Sequence, residues 1–281
     1  MILNRPLFII FALVVMTGDQ GIAQTKVSPK DGLTYVHIAA GTFTMGCSPG
    51  DRECSDDEIP SHSALISRAF WLGQTPVTAG AYKKYAASHA KPMPPPAKYI
   101  DRDLNPGWLD EKQPIVNVTW TEAVAFCEAS GGRLPTEAEF EYAARAGNTS
   151  PRYGALNDIA WYANNSGNRL IDAAKIQRED PRNYGRLINE NKDTVKSVAT
   201  KQPNAFKLYD MLGNVFEWTA DWFAKYGDAP VLAPKGPSTG EYRVVKGGNW
   251  TSEPRAVRAS GRNWFIPSLR NMGIGFRCAA D

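Results

Sequence analysis

Hydrophobic and polar positions along this chain alternate in short bursts, each closed by glycine, proline or an acidic turn, and nowhere in a long periodic run. From Leu33 to Gly46 the text LTYVHIAAGTFTMG alternates well enough for two short strands around Gly41. Phe70-Trp71-Leu72-Gly73 reads as a short buried strand. Thr78 stands where a helix wants an N-cap oxygen for its unpaired amides, and VTAGAYKKYAA carries that helix to about Ala87. Between Lys91 and Gln113, five prolines and no periodicity predict an extended surface loop; strand and helix signals resume at once in PIVNVTW, so it is no domain linker. Thr119 with Glu122 predicts a capping box opening a helix through Ala123, Val124, Phe126 and Cys127, stopped at Gly131-Gly132. Thr136 with Glu139 repeats the device, with Phe140 and Ala143 inward and Gly147 as the stop. Glu137, Glu139 and Glu141 fall around that helix, which gives them structural and solvated roles and argues against an acid–base pair.

The second half is less regular. Trp161 to Val198 is polar and weakly patterned, a long surface excursion between core elements. Leu208 to Trp222, LYDMLGNVFEWTADW, is a loop with a Gly-Asn turn followed by a strand dense in aromatics. Tyr242 to Asp281 reads as a strand into Gly247-Gly248, an irregular loop, and a closing strand from Ile274 to Cys278.

Composition narrows the class. With 281 residues, 43% hydrophobic content, 24 Gly, 20 Pro and eight Trp, the chain can bury one substantial core, held in a compact, loop-rich domain pinned by aromatics; helix bundles do not have this composition. The 32 basic and 29 acidic residues are scattered, so no basic stripe recommends nucleic acid. At the N-terminus, Arg5, the apolar run Leu7 to Met16 and Gly21-Ile22-Ala23 before Gln24 predict a cleaved signal peptide over residues 1–23, an extension over 24–32 and a domain over 33–281. The expected destination is periplasmic or extracellular. No segment reaches the roughly eighteen apolar residues of a membrane span. Export permits disulfides, and four cysteines allow three pairings; Cys47 and Cys54 share one loop, where closure costs little chain entropy.

Candidate chemistry centres on the Gly-Asn turn. Asp210 and Glu217 flank Gly213-Asn214, and a turn there can aim backbone carbonyls inward to complete the all-oxygen set that calcium prefers. The other reading is a hairpin turn with Phe216, Trp218 and Trp222 as core and the acids solvated. A second acidic stretch, Asp51, Glu53, Asp56, Asp57 and Glu58, followed by Pro60 and His62, reads as a solvated loop more readily than as a metal site. His37, His62 and His89 lack the spacing of a non-haem iron site, so iron is not expected. Phosphate loops, serine-hydrolase elbows and zinc spacings are missing as well.

Several stretches carry a resemblance. G-N-x-x-E-W at Gly213, G-x-F-x-M-G at Gly41, V-x-W-x-x-A-x-x-F-C ending at Cys127, R-L-P-T-E-A-E-F-E-Y-A at Arg133, and R-V-x-K-G-G through G-F-R-C-A resemble the formylglycine-generating, or sulfatase-modifying-factor, family over roughly Leu33 to Asp281. That resemblance implies an α+β fold with little regular secondary structure, similar in shape to C-type lectin domains. It implies calcium on Asp210, the carbonyls of Gly213 and Val215, and Glu217, and a disulfide between Cys127 and Cys278. It also implies a second calcium site near the 161–198 excursion, to which no residues can be matched. Formylglycine-generating enzymes hold Cu(I) on two cysteines of the final loop; the first position falls on Ser252 and the second near Pro254 across a shortening, so copper is not expected. What that loop retains are catalytic candidates Ser252, Glu253, Arg255, Arg258 and Trp250, and ligand-binding candidates Asn249, Trp250, Arg262, Asn263 and Trp264, suited to a small-molecule, peptide or glycan ligand. Against this, arginines in loop-rich folds often tie loops together. Two functions follow from the resemblance: an exported, oxygen-dependent, oxidoreductase-like relative such as the pyoverdine-maturation branch, or a binding module such as the variable proteins of diversity-generating retroelements.

Overall fold

The alternation from Thr34 to Met45 breaks at Ala39-Ala40, and its two halves join different sheets. The computed structural model describes residues 24–227, 229–232 and 234–281; the expected signal peptide lies outside them. Strands β1 (Thr25–Val27), β2 (Thr34–Ile38), β3 (Gly41–Met45), β4 (His62–Ile66) and β5 (Phe70–Gly73) come first. β2 pairs antiparallel with β1 and β5, whereas β3 pairs antiparallel with β4. In β4 burial alternates strictly, with His62, Ala64 and Ile66 inward, the period of a strand with one wet face.

Threonine caps then set three helices. In α1 (Ala79–Ser88), Thr78 accepts from the Ala81 amide at 3.2 Å. A two-residue-per-strand hairpin, β6 (Lys98–Tyr99) and β7 (Arg102–Asp103), follows. In α2 (Trp120–Ala129) and α3 (Glu137–Arg145), Thr119 with Glu122 and Thr136 with Glu139 close full capping boxes, each cap being worth about 1 kcal/mol. α1 meets α2 through Phe126, whose ring lies 5.6 Å from that of Tyr82 and 5.1 Å from that of Tyr85. The proline-rich stretch runs mostly over the surface, as its composition predicts, but it is anchored: Trp108 within it is 4% exposed and donates its indole N–H to the carbonyl of buried Pro94 at 3.2 Å.

The glutamates of α3 also differ from expectation. Glu139 pairs with Arg133 near the surface, but Glu137 and Glu141 are buried, because the opposite strand brings cations to them. Glu141 accepts from the Gly46 amide at 2.8 Å and from Lys246 at 2.9 Å. Burial alone would raise its pKa; Lys246 and Arg145 more than offset that and hold it below the usual carboxylate range.

A short α4 (Leu156–Ile159) leads into the polar excursion, which is partly helical: α5 (Ala173–Glu179) and α6 (Tyr184–Glu190). The remaining strands are β8 (Phe216–Trp222), β9 (Val231–Leu232), β10 (Arg243–Lys246), β11 (Arg262–Phe265), β12 (Ile274–Gly275) and β13 (Ala279–Ala280). One sheet runs β1-β2-β5-β13, a second runs β11-β10-β8-β12, and β9 extends the β3-β4 pair. The predicted single closing strand, Ile274 to Cys278, is therefore two pieces. Ile274 and Gly275 pair parallel with β8, Ala279 and Ala280 pair antiparallel with β5, and Phe276 to Cys278 cross between the sheets. The crossing turns Arg277 inward to Glu217 and Cys278 to Cys127. Both disulfides form, Cys47–Cys54 and Cys127–Cys278. Trp218, Trp250, Phe126 and Phe276 centre the larger core cluster; Phe70, Leu72 and Phe140 centre the one beneath α3.

Candidate functional site

The Gly-Asn loop is wound by three left-handed residues, Asp210 (φ 53°), Gly213 (φ 76°) and Asn214 (φ 58°). At Gly213 a Cβ would stand 2.4 Å from the Trp161 carbonyl oxygen, so glycine is required there. Asn214 fixes the loop to the excursion: its Oδ1 accepts from the Lys196 amide and its Nδ2 donates to the Lys196 carbonyl, each at 3.0 Å. Val215 is buried just before β8, and Glu217, two positions on, is fully buried. Arg277 grips Glu217 with both prongs at 2.8 Å and also donates to the carbonyls of Tyr209 at 2.9 Å and Gly73 at 3.0 Å.

Asp210 is buried as well, so the reading in which these acids are solvated is wrong. Its Oδ2 accepts from the Ala199 amide at 2.8 Å, while its Oδ1 has no partner. Burial pushes both carboxyls up, opposed by Arg277 in each case, and Asp210 adds repulsion at Glu217. Two buried carboxylates thus share one guanidinium. Asp210 Oδ1 is the oxygen left for a hard cation, whereas both Glu217 oxygens are already in the arginine fork. Among the described residues no three His, Cys, Asp or Glu side chains cluster to hold a metal, so a cation here would have to draw on backbone carbonyls for the rest of its shell.

The final loop begins with a closed turn. The Asn249 Oδ1 accepts from the Thr251 amide at 3.0 Å, from the Thr251 hydroxyl at 2.9 Å and from the Ser252 hydroxyl at 3.0 Å, and Ser252 Oγ in turn accepts from the Asn249 amide at 3.0 Å. Ser252 is satisfied as donor and as acceptor. Trp250 is fully buried, with the Tyr99 ring edge-on at 5.0 Å. From α6, Tyr184 donates to the Thr251 carbonyl at 2.7 Å, so the excursion covers this turn.

The other candidates of this loop are spread over separate ties. Glu253 and Arg255 face each other at 3.7 Å, with Arg255 exposed. Arg258 is buried on Asp51 at 2.9 Å and Glu58 at 2.7 Å, which corrects the solvated reading of that acidic loop for these two carboxylates, while Glu53 and Asp56 are exposed as expected. Arg262 grips Glu137 at 2.6 Å and 2.9 Å and lies 3.9 Å over the Tyr226 ring. Asn263 is half-buried and accepts from the Trp264 amide at 2.8 Å; the Trp264 ring stacks on Phe223 at 3.9 Å. These side chains do not converge on one point. All four cysteines are in disulfides. The histidines are scattered, with His37 on Trp71, His62 on Tyr226 and His89 on Tyr85.

Open space lies at the far end of β8. A cleft of about 720 Å³ runs between the β4–β5 turn, Arg133, Trp222, Arg243 and Pro234 to Ser238, and a smaller cavity of about 170 Å³ adjoins it beside His62, Tyr226 and Arg262. Asp221 lines both. Its oxygens accept from the Glu137 amide at 2.7 Å and the Gly236 amide at 2.5 Å. Burial, with the Glu137 charge second, pushes its pKa up to about 7. Asp221, Arg243 and Arg277 were not singled out from the sequence. The signal was present in Arg243 and Arg277, ionisable residues inside apolar runs, but it does not tell a buried ion pair from a ligand site.

The sequence profile of the sulfatase-modifying factor enzyme 1-like domain matches residues 22–281. Formylglycine-generating enzyme from Streptomyces coelicolor is 28% identical, over 90% of this chain and 91% of that protein. Hercynine oxygenase from Mycolicibacterium smegmatis is 28% identical, over 94% of this chain and 65% of that protein. The solved structure of PvdO from Pseudomonas aeruginosa superposes with a TM-score of 0.73 at 25% identity, covering 92% of this chain and 97% of that one.

Proposed function

We propose, because the chain belongs to the sulfatase-modifying factor enzyme 1-like family, that it is one of the family's divergent, oxidoreductase-like members and does not convert a sulfatase cysteine into formylglycine. One observation carries this reading: the position matched to the first copper cysteine is Ser252, locked into the Asn249 turn, and every cysteine of the chain is in a disulfide. A neutral hydroxyl is a hard, poor ligand for Cu(I), so these residues do not fit that ion. The similarity to hercynine oxygenase and to PvdO supports the oxidoreductase side.

A non-catalytic binding module on the same scaffold is the second reading. It is favoured by the way Arg258 and Arg262 are consumed in internal ion pairs, which leaves the final loop a rigid frame. Calcium belongs to both readings. Asp210 with its partnerless Oδ1 and the carbonyls of Gly213 and Val215 would hold the ion, with Glu217 joining only by sharing an oxygen with the Arg277 fork, and the ion would neutralise the buried charge and stiffen the loop. Export to the periplasm or outside the cell is part of the proposal, and two disulfides are compatible with it. Among the described residues no helix is long and apolar enough to cross a membrane.

The test is to incubate the purified protein with copper, oxygen and a peptide bearing the sulfatase motif C-x-P-x-R, and to measure the metal content of the protein as purified. No aldehyde by mass spectrometry is the expected result. Turnover that Ser252→Ala abolishes would overturn the assignment. Stoichiometric iron or copper, or substrate-dependent oxygen uptake, selects the oxidoreductase over the binder; calcium alone selects the binder.

A further inference from the structure

The two disulfides differ in what surrounds them. Cys127 and Cys278 are buried in the larger core cluster, whereas Cys47 and Cys54 are both half-buried and close a loop whose Pro49, Gly50, Arg52 and Glu53 are exposed. Exchange with a thiol needs the attacking thiolate to reach a sulfur, so access decides which of the two bonds a reductant in solution opens. The shorter ring also re-forms readily, because two thiols at a sequence separation of 7 stay close in the chain.

That ring is tied to the final loop at two points. Within it, Asp51 accepts from Arg258 Nη1 at 2.9 Å, and Arg258 Nε donates to the Arg255 carbonyl at 2.6 Å. Glu53, also within it, accepts from Arg152 Nη2 at 3.2 Å; the same guanidinium donates to the carbonyls of Pro254 at 2.7 Å and Val257 at 3.0 Å. Arg258 Nη1 lies 3.5 Å from Cys54 Sγ, so the bridge and the buried ion pair touch. Glu58, the other carboxylate on Arg258, lies outside the ring in a turn capped by Ser55. Opening the ring therefore frees Asp51 and Glu53, whose positions the bridge fixes, and leaves Glu58 in place.

We propose that the Cys47–Cys54 bridge is a redox latch on the final loop, opened by a dithiol reductant and closed again by a disulfide oxidant. A thiolate of the dithiol attacks one sulfur of the bridge and forms a mixed disulfide, which the second thiol of the reductant then resolves. The S–S bond of the protein breaks, the reductant leaves as its own disulfide, and two electrons and two protons end on the Cys47 and Cys54 thiols. Closed, the latch holds Asp51 and Glu53 on the arginines that grip residues 254–258. Open, it leaves Arg258 with Glu58 as its one carboxylate and Arg152 with the two carbonyls, so the loop gains freedom whichever function it serves.

The test treats the folded protein, without denaturant, with about 1 mM dithiothreitol, then alkylates free thiols and maps them by mass spectrometry. Cys47 and Cys54 are expected to be alkylated at least about tenfold faster than Cys127 and Cys278, and to return to the bridge when oxidised glutathione replaces the reductant. Hydrogen exchange on the same samples is expected to rise about fivefold over residues 253–261 and to stay unchanged in β8. The double variant Asp51→Asn, Glu53→Gln keeps the bridge but weakens both ties, so its exchange over 253–261 is expected to be fast before reduction and to rise no further after it. Four cysteines reduced together, or none reduced in the folded protein, overturns the latch. So does exchange over 253–261 that ignores selective reduction, or that responds in full in the double variant. If the double variant does not fold, Cys47→Ser with Cys54→Ser, which fixes the open state, must show the fast exchange without reductant, and slow exchange there overturns the latch.

Discussion

Asp221 ties the stability of this protein to pH in a direction opposite to that of most carboxylates. Its folded pKa is pushed up to about 7 from an ordinary 3.8, by burial first and by Glu137 second. In the window between these values the folded protein keeps a proton that the unfolded chain has released. The stability this group contributes is therefore full below pH 3.8 and is lost as pH rises through 7. From the two pKa values the contribution is about 3 kcal/mol at pH 5 and close to zero at pH 8, a loss of roughly 2–3 kcal/mol. For a domain of this size that is roughly 5–10 °C in Tm. Asp221→Asn removes the titration. Its single amide oxygen can accept from only one of the Glu137 and Gly236 amides, so the variant is less stable than the parent at pH 5, but its profile lacks this slope. Urea denaturation of both proteins at pH 5, 6, 7 and 8, at constant ionic strength, gives the difference directly, and the three histidines, common to both, cancel. A parent-minus-variant stability that is flat across the series would refute the assignment of the proton to Asp221.

Other outcomes follow from the buried charges and crosslinks. Chelation is expected to lower Tm in the parent and to change nothing in Asp210→Ala, and an unshifted melting curve together with no calcium in the purified protein would remove the ion from the Gly-Asn loop. Replacing Cys127 and Cys278 by serine opens a loop of sequence separation 151 and is expected to cost about 5 kcal/mol in chain entropy, against about 2.5 kcal/mol for Cys47 and Cys54 at separation 7; urea midpoints should rank the variants in that order. Arg258→Met leaves Asp51 and Glu58 without their cation and is expected to cost about 3–5 kcal/mol at pH 7. Burial raises the Glu58 pKa, and the hydrogen bonds from Arg258, the Ser55 amide and Ser260, together with the Arg258 charge, more than offset it and hold the carboxyl below its ordinary value; this stability is present above that ordinary value, is lost as pH falls, and the deficit of the variant should shrink between pH 7 and pH 3.5.

Local chemistry was legible from the sequence. Each of Thr78, Thr119 and Thr136 caps the helix it precedes, because a cap is decided within four residues. Phe70 to Gly73 is a strand for a similar reason. What failed was the environment of charged side chains. Asp51 and Glu58 read as solvated because the one basic residue near them in sequence, Arg52, is exposed, and the cation that buries them stands 200 positions from Glu58. Glu141 failed likewise, since Lys246 reaches it from β10. The excursion hid α5 and α6, and α6 is placed by polar contacts of Tyr184 with Thr251 and of Asn189 with Asp101 more than by any apolar stripe. In the candidate site, the position of Ser252 and its neighbours was legible, but not that Asn249 would close the turn around it or that Arg277 would claim both oxygens of Glu217.

The crossing of Phe276 to Cys278 between sheets also makes the fold wait for the last residues of the chain. β5 lies between β2 and β13, and Arg277 reaches the carbonyl of Gly73 over 204 positions. At typical synthesis rates those positions take roughly 10–40 s to appear. Until then one edge of β5 is open, with Phe70 and Leu72 beside it and no strand to cover their backbone. An open apolar edge is a template for pairing with another unfolded chain, so the yield of folded protein should depend on how well incomplete chains are kept apart, more than its final stability would suggest.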